Sequence, residues 1–279
     1  MTVEQDKLAA LRQRFLERDD ESDPNGRIYR DKVTGEIYHS VTRILSATMA
    51  PENKKALEKW LERPDSIQTR DMAAARGTAA HNSAEYVLKT AQRLARSTAN
   101  KRNVWRVGED GLYRAPEKIT KWALEKAIQG APKVPWSASG FARGLRGWIL
   151  DHVTAIHSVE FSAFHPAGFA GACDALLDLD GKGPFIVDWK TTNKSIHASI
   201  ESQLSNYRDQ TGAYSLMLMH RTGIQAVGGA VVVARRSGAP TETLLDLDAL
   251  KAAQERFLSR TADYYLNLPI PGAANQATS

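Results

Sequence analysis

The chain contains very little cysteine and no long apolar run. Cys173 is the only cysteine among 279 residues, which excludes an internal disulfide and any zinc or iron–sulfur site that needs four cysteines from one chain. The longest apolar stretches, such as 226–234, are far too short to cross a bilayer. The first fifteen residues carry acids and lack an apolar segment, so neither a secretory signal nor a transit peptide is expected. A reducing, cytoplasmic setting is therefore the expectation.

The remaining composition is that of a globular domain, with one unevenness in its charge. Hydrophobic residues make up 42% and charged residues 25% of the chain, and the net charge is +5. The segment from Leu88 to Gly147 has thirteen Lys or Arg and only four Asp or Glu, so the rest of the chain is slightly acidic. Such a segment is typical of a surface that binds a polyanion. A solvated helical face with salt bridges explains it equally well.

The apolar pattern predicts helices first, then strands, then helices again. A polar N-terminal helix over 1–22, a single domain over 23–268 and a disordered tail over 269–279 are expected. A hairpin is predicted around Thr34-Gly35. Longer helices are predicted over 71–98, 139–157, 201–222 and 249–266, and later strands over 158–164, 171–179, 184–190 and 226–235. This order indicates an α/β (α+β) fold with a central mixed sheet flanked by helices.

The stretch FIVDWKTTNK, residues 185–194, places two opposite charges at the end of an apolar strand. Residues i and i+2 of a strand share a face, so Asp188 and Lys190 are expected to project together, with Trp189 pointing the other way into a core. An ion pair on an edge strand is the simplest explanation of these two residues taken alone.

Asp174 adds a second carboxylate to this pair. The turn at Asp180–Gly183 predicts a hairpin in which Asp174 lies roughly level with Asp188 on the neighbouring strand. Like charges buried together are costly unless a cation neutralises them, and carboxylate oxygens suit Mg²⁺ or Mn²⁺. Such a metal would bind a water and a phosphate oxygen, while Lys190 would position the water and stabilise charge on the phosphoryl group.

These residues carry a family resemblance. Asp174, followed after thirteen residues by Asp188-Trp189-Lys190-Thr191, resembles the signature of the PD-(D/E)xK nucleases, and of the RecB-type exonucleases in particular. Three further elements resemble motifs of that group and occur in the same order. They are RGTAAH at 76–81, Val159-Glu160, and QTGAY at 210–214.

The resemblance implies a restriction-endonuclease-like core with a helical basic insert, and it assigns roles to individual residues. It implies metal binding by His81, Asp174, Asp188 and the backbone carbonyl of Trp189, with Mg²⁺ or Mn²⁺ as cofactor. It implies that Gln210 and Tyr214 orient the lysine and the DNA backbone. The catalytic set would be Asp174, Asp188, Lys190, Glu160, Gln210 and Tyr214.

The similarity extends toward the N-terminus. YHSVTRILSATM at 38–49, followed by LEKWLER at 57–63, resembles the mitochondrial genome maintenance exonuclease and its phage and bacterial relatives. In that group a helical arch guides single-stranded DNA, and the basic, Trp-bearing segment 88–147 occupies the corresponding place. Its cations would contact phosphates and its aromatic rings would stack on bases. The candidate DNA-binding residues are Arg76, Thr191, Lys101, Arg102, Trp105, Arg106, Lys118, Lys121 and Trp122.

The implied activity is that of a metal-dependent DNA exonuclease acting on single-stranded ends. Cys173 alone cannot hold an iron–sulfur cluster, and Gly181-Lys182-Gly183-Pro184 lacks the Walker A pattern, so no ATP is expected. The resemblance favours a phage or prokaryotic repair or recombination nuclease, in the host cytoplasm if phage-encoded, with a single-strand-binding or recombination protein as partner. Two alternatives stay open: a structure-specific or nicking endonuclease of the same fold, and a catalytically inactive DNA-binding or recombination accessory protein.

Overall fold

The computed structural model describes residues 16–21, 23, 26–98, 106–107, 113–114, 119–193 and 200–268. Within them the strands are β1 (Leu16–Asp19), β2 (Ile28–Asp31), β3 (Ile37–Ser40), β4 (Arg106–Val107), β5 (Tyr113–Arg114), β6 (Val153–His165), β7 (Phe169–Leu179), β8 (Pro184–Thr192), β9 (Gly228–Arg235) and β10 (Thr241–Leu245). The helices are α1 (Val41–Ala47), α2 (Pro51–Leu61), α3 (Ser66–Thr98), α4 (Lys121–Gln129), α5 (Trp136–His152), α6 (Ile200–Thr222) and α7 (Leu247–Leu266). None of the helices described is long and apolar enough to span a membrane.

One mixed sheet of eight strands organises the molecule, as predicted. Its order is β1-β2-β3-β7-β8-β9-β10, and β6 pairs with β7 along the opposite side. β7 and β8 form the predicted antiparallel hairpin, in which Ala175 pairs with Val187 and Asp178 with Pro184. β9 then lies parallel to β8, because α6 crosses over between them. The strand β10 was not predicted.

Two layers of helices cover the sheet. The core against one face is built with α1, α6 and α7, and the core against the other with α3, α4 and α5. Along β8 the side chains alternate between these cores, since Ile186 packs in the first while Val187 and Trp189 pack in the second. Trp189 is buried edge-to-face against Trp148 of α5, so the prediction that it points into a core is confirmed.

Several local predictions are wrong. The N-terminal helix cannot extend to residue 22, because Leu16–Asp19 pair with β2 and Leu16 is buried against Tyr29 and Tyr38. Residues 1–15 and the tail 269–279 lie outside the described residues. The helix predicted over 139–157 ends at His152, since Val153 begins β6 and pairs with Leu179. In both places pairing with another strand overrides a local helical pattern.

The basic segment is only partly helical. α4 and the apolar face of α5 are buried together with α3, so these parts belong to the body of the domain. Between α3 and α4, residues 106–107 and 113–114 pair as short antiparallel strands, which corrects the expectation of a helical insert there. Lys101, Arg102, Trp105 and Lys118 lie outside the described residues, and only the backbone of Arg106 is described.

Glycine allows α5 to lie directly on the end of β9. A Cβ at Gly140 would lie 1.8 Å from the Arg236 carbonyl oxygen. We expect Gly140→Ala to destabilise the fold by about 2 kcal/mol, because the helix and the strand end must separate to admit the methyl group. Chemical denaturation measures this change.

Gly147→Ala on the same helix is the matched control, since no described atom lies within 4 Å of its Cβ. It is expected to stabilise the chain by up to about 1 kcal/mol through helix propensity. Equal stabilities of the two variants would contradict the packing explanation.

Candidate active site

The sheet forks at the position of Asp174 on β7 and of Asp188 and Lys190 on β8. The register between these strands runs only from Asp178–Pro184 to Ala175–Val187, and beyond it the two strands diverge. At its other end β7 pairs with β3 through Phe169 and Ala170. Asp174 faces the gap left between β3 and β8, and its Oδ2 accepts a hydrogen bond from the Trp189 N–H at 2.7 Å. A side-chain carboxylate thus accepts the hydrogen bond of a backbone amide at the point where strand pairing stops.

Asp188 and Lys190 form a buried ion pair at the fork. Lys190 Nζ lies 2.6 Å from Asp188 Oδ2, and the two side chains are 20% and 2% exposed. The approach is not that of a directed hydrogen bond, so Asp188 Oδ2 has no directional donor among the described residues. The same ammonium lies 5.0 Å from the ring centroid of Tyr207 on α6. A buried carboxylate oxygen with spare coordination capacity suits a cation.

His81 approaches the site from the opposite helical layer. Its Nδ1 lies 3.5 Å from Asp174 Oδ1. Gly77, one turn earlier on α3, brings the helix close to β8, since a Cβ there would lie 3.3 Å from Thr191 Oγ1. Nevertheless, no three His, Cys, Asp or Glu side chains in the described part of the chain are arranged as a preformed metal site. The structure therefore brings His81, Asp174 and Asp188 into one constellation without fixing them at ligand positions.

The two carboxyl groups have opposite pKa shifts. Burial raises the pKa of Asp188 to about 6, with Lys190 opposing the shift and Asp174 adding to it. Burial would also raise the pKa of Asp174, but contact with His81, the charge of Lys190 and the Trp189 amide lower the pKa below its usual value. Burial disfavours the charged forms of His81 and Lys190, yet the adjacent carboxylates raise the pKa of both. The charges of this site are thus strongly interdependent.

Glu160 lies across β7 from the fork, with an unusual backbone conformation. It falls between the pairs Val159–Ala175 and Phe161–Cys173, which places it opposite Asp174. Its φ of 53° is in the left-handed region, which is rare for a residue with a side chain. Burial, Glu85 and Asp174 raise the pKa of Glu160.

The face of β7 changes at the same point. Ala175 packs with α3 and α5, whereas Cys173, two residues earlier, packs with α6 and α7. Regular alternation would put these two residues on one face. The irregular backbone at Glu160 thus accompanies a change of face that leaves Asp174 between the two helical layers.

Gln210 and Tyr214 occupy one face of α6, as predicted. Gln210 Nε2 donates to the Tyr214 hydroxyl at 2.6 Å, and Tyr214 is buried against Gly171 of β7. Within the described residues neither forms a hydrogen bond with Lys190. The aromatic residue that contacts Lys190 is Tyr207, which sequence reasoning missed. Its position three residues before Gln210 on the same helix face is the signal that could have identified it.

Two of the DNA-binding candidates lie beside the site. The Arg76 guanidinium lies 5.1 Å from the centroid of the Phe141 ring, and it reaches Asn193 when the amide oxygen of Asn193 faces it, at 3.0 and 3.2 Å. Thr191 lies against Gly77. Lys121 and Trp122 are exposed on α4, and their position in the chain does not bring them into a described contact with the constellation.

Comparison with known proteins agrees with this geometry. Residues 12–268 match the family model described as the PD-(D/E)XK nuclease superfamily. No curated protein matches the sequence significantly. The mixed eight-stranded sheet with helices on both faces is consistent with the restriction-endonuclease-like core of that superfamily. The match covers nearly all of the chain, including the sheet, the fork and both helical layers, and on this ground the chain belongs to the PD-(D/E)XK nuclease superfamily.

Proposed function

We propose that this protein is a metal-dependent DNA exonuclease that hydrolyses phosphodiester bonds from single-stranded ends. Membership of the superfamily implies a nuclease that uses a divalent metal. The observation that carries the assignment of the site is the buried Asp188–Lys190 pair beside Asp174 at the fork. A binding module would gain nothing from burying two carboxylates and an ammonium together, because their desolvation is costly.

The carboxylates of Asp174 and Asp188 fit a hard divalent cation such as Mg²⁺ or Mn²⁺. Asp188 Oδ2 is buried without a directional donor among the described residues. His81 lies beside Asp174, and Trp189 directly follows Asp188 in the chain. When bound, the metal supplies a water of lowered pKa and a Lewis acid for the phosphate. We assign these four groups as the ligands.

Lys190 is assigned to the charge that develops on the scissile phosphate. Its ammonium is anchored by Asp188 on one side and by the Tyr207 ring on the other, so it is held in place before substrate arrives. Arg76, Thr191 and Asn193 line the end of β8 next to it and are assigned to the DNA backbone. Glu160, opposite Asp174, and Gln210 and Tyr214, hydrogen-bonded to each other on α6, are assigned supporting roles.

The ordered motifs support a RecB-type assignment within the superfamily. The elements at 76–81, 159–160, 174, 188–191 and 210–214 occur in the order typical of that group, and they converge on the fork or on the helix next to it. Exonuclease action on single strands, DNA binding by the basic segment 88–147, and a role in DNA repair or recombination follow from this resemblance as proposals.

The test is incubation of the full chain with end-labelled linear and covalently circular single-stranded DNA, with Mg²⁺, Mn²⁺ or EDTA. Shortening of the linear strand alone, and only with metal, is the expected result. Cleavage of the circle, which has no end, would show that the protein is an endonuclease and not an exonuclease. Binding of both DNAs without cleavage in either metal would refute the nuclease proposal.

A further inference from the structure

An exposed tryptophan and an arginine are stacked at the edge of the sheet. Trp136, the first residue of α5, is 79% exposed. The guanidinium carbon of Arg236 lies 5.0 Å from the centroid of its ring. A large aromatic side chain on the surface is costly to leave in water, and one already aligned with a cation presents a flat face that a base can stack on.

This pair lies at the same edge of the sheet as Lys190. Lys190 pairs with Val233 and Thr192 with Arg235 in the parallel ladder of β8 and β9, and Arg236 follows directly. Strand spacing puts the Cα atoms of Lys190 and Arg235 about 8 Å apart. The carboxyl ends of parallel strands are where open α/β sheets bind their ligands. We call Trp136, Arg235 and Arg236 the strand-end ledge.

The ledge is cationic, and the first acids beyond it in the chain are Asp151 near the end of α5 and Glu242 on β10. Residues 130–150 and 226–241 together contain five cations and neither Asp nor Glu. None of the five forms an ion pair within the part of the chain that the structure describes, unlike Lys190 or Arg260. Arg235 Nη2 donates to Thr241 Oγ1 at 2.5 Å, while its buried Nε has no hydrogen-bond partner among described residues. The five cations are Lys133, Arg143, Arg146, Arg235 and Arg236.

Close packing holds the ledge at a fixed position relative to the site. Gly140 brings α5 onto the Arg236 carbonyl, and Gly144 lies against Pro240 of the following loop. Next to Gly140, the buried ring of Phe141 contacts the Arg76 guanidinium, which reaches Asn193 just after β8 when the Asn193 amide oxygen faces it. The same helix, α5, therefore contacts both the ledge and Arg76, which is assigned to the DNA backbone.

We propose that the strand-end ledge binds the single-stranded DNA segment next to the scissile phosphate, with a base stacked on Trp136 and the phosphates contacted by Arg235 and Arg236. The inference rests on the proposed function, because it presumes that Lys190 marks the position of the cleaved bond. It adds a base-stacking subsite at the start of α5, within the basic segment 88–147 but after the residues that connect α3 to α4.

The experiment measures DNA binding without cleavage. Fluorescence anisotropy of a labelled oligo-dT strand in EDTA is compared for the full-length wild type, Trp136→Ala, Trp136→Phe and Arg236→Gln. Trp136→Ala is expected to weaken binding about tenfold, and Trp136→Phe about twofold at most because a ring is kept. Arg236→Gln is expected to weaken binding several-fold and to make it less steeply dependent on salt.

Lys182→Gln is the matched control for charge. It removes the same charge from the turn at the opposite end of β8, and it is expected to leave binding within about twofold of wild type. The affinity for a double-stranded oligonucleotide is expected to be unchanged by Trp136→Ala, because the bases of a duplex are already stacked on each other.

Three results would overturn the ledge. They are absence of binding by the wild type, equal binding by Trp136→Ala and wild type, and an equal effect of Lys182→Gln and Arg236→Gln. Because EDTA prevents cleavage, this assay tests the ledge separately from the nuclease activity. If the protein binds DNA through the ledge here but does not cut DNA in Mg²⁺ or Mn²⁺, the nuclease proposal is refuted and the ledge is still supported.

Discussion

Replacing Lys190 with methionine is expected to lower the rate of DNA cleavage about 1000-fold. The ammonium lies 2.6 Å from a buried carboxylate and against the Tyr207 ring, so its charge is oriented before substrate binds. Removing one oriented donor of this kind commonly costs about 10²–10³-fold in rate, and here the whole charge is lost. The measurement is single-turnover cleavage of a labelled strand with saturating enzyme and Mg²⁺, which separates chemistry from binding.

Lys182→Met is the control for this substitution. Lys182 lies in the turn between β7 and β8 and is exposed, so the same change there is expected to leave the rate within about twofold. Because Lys190→Met leaves Asp188 buried without its cation, thermal melts must establish that the variant is folded, and Lys190→Arg offers a second variant that keeps the charge. Retention of more than about a tenth of the wild-type rate by a folded Lys190→Met protein would refute the role of the lysine.

Arg260→Met is expected to cost about 3 kcal/mol of unfolding free energy. Arg260 on α7 donates to Asp209 and Asn206 of α6 and to Thr48 and the Leu45 carbonyl at the end of α1. Asp209 is only 3% exposed, so losing this partner leaves a buried carboxylate poorly compensated. Circular dichroism melts are expected to show a fall in Tm of roughly 8 °C.

Arg256→Met is the matched control, because Arg256 binds the same carboxylate from a half-exposed position. Its Nε lies 2.9 Å from Asp209 Oδ1, and its side chain is 47% exposed. A half-exposed ion pair contributes less than about 1 kcal/mol, so this variant is expected to melt within a few degrees of wild type. Equal Tm values for the two variants would show that the hydrogen bonds from Arg260 on α7 to the end of α1 do not stabilise the protein.

The hairpin that carries Asp174 and Asp188 could be predicted from the sequence because its determinants are local. A two-residue period and a tight turn rich in Gly fix which residues lie opposite each other, so Asp174, Asp188 and the buried Trp189 followed directly. The pairing of Gln210 with Tyr214 followed in the same way from their spacing of four on a helix.

The features that were missed depend on contacts between distant parts of the chain. Leu16–Asp19 forms a strand only because β2 and β3 provide partners and a small apolar cluster, and Val153 leaves the helical pattern because β7 runs beside it. The left-handed backbone at Glu160 has no local signature, whereas Tyr207 shares a helix face with Gln210 and could have been identified from that spacing. The residues of the site can be identified in a single sequence. The fork at which they lie, where β7 and β8 diverge, is a property of the assembled sheet.

The fork also restricts how this chemistry could be transplanted. Asp174 takes the Trp189 amide only because β7 and β8 have already parted, and Asp188 lies just past their last paired residues. Copying the three charged residues onto a regular hairpin would place the carboxylates across an intact ladder, where backbone carbonyls already accept those amides. A designer who wished to install this site in another scaffold would have to graft the divergence of the strands together with β9, which stays paired with β8 as far as Thr192 after β7 has diverged.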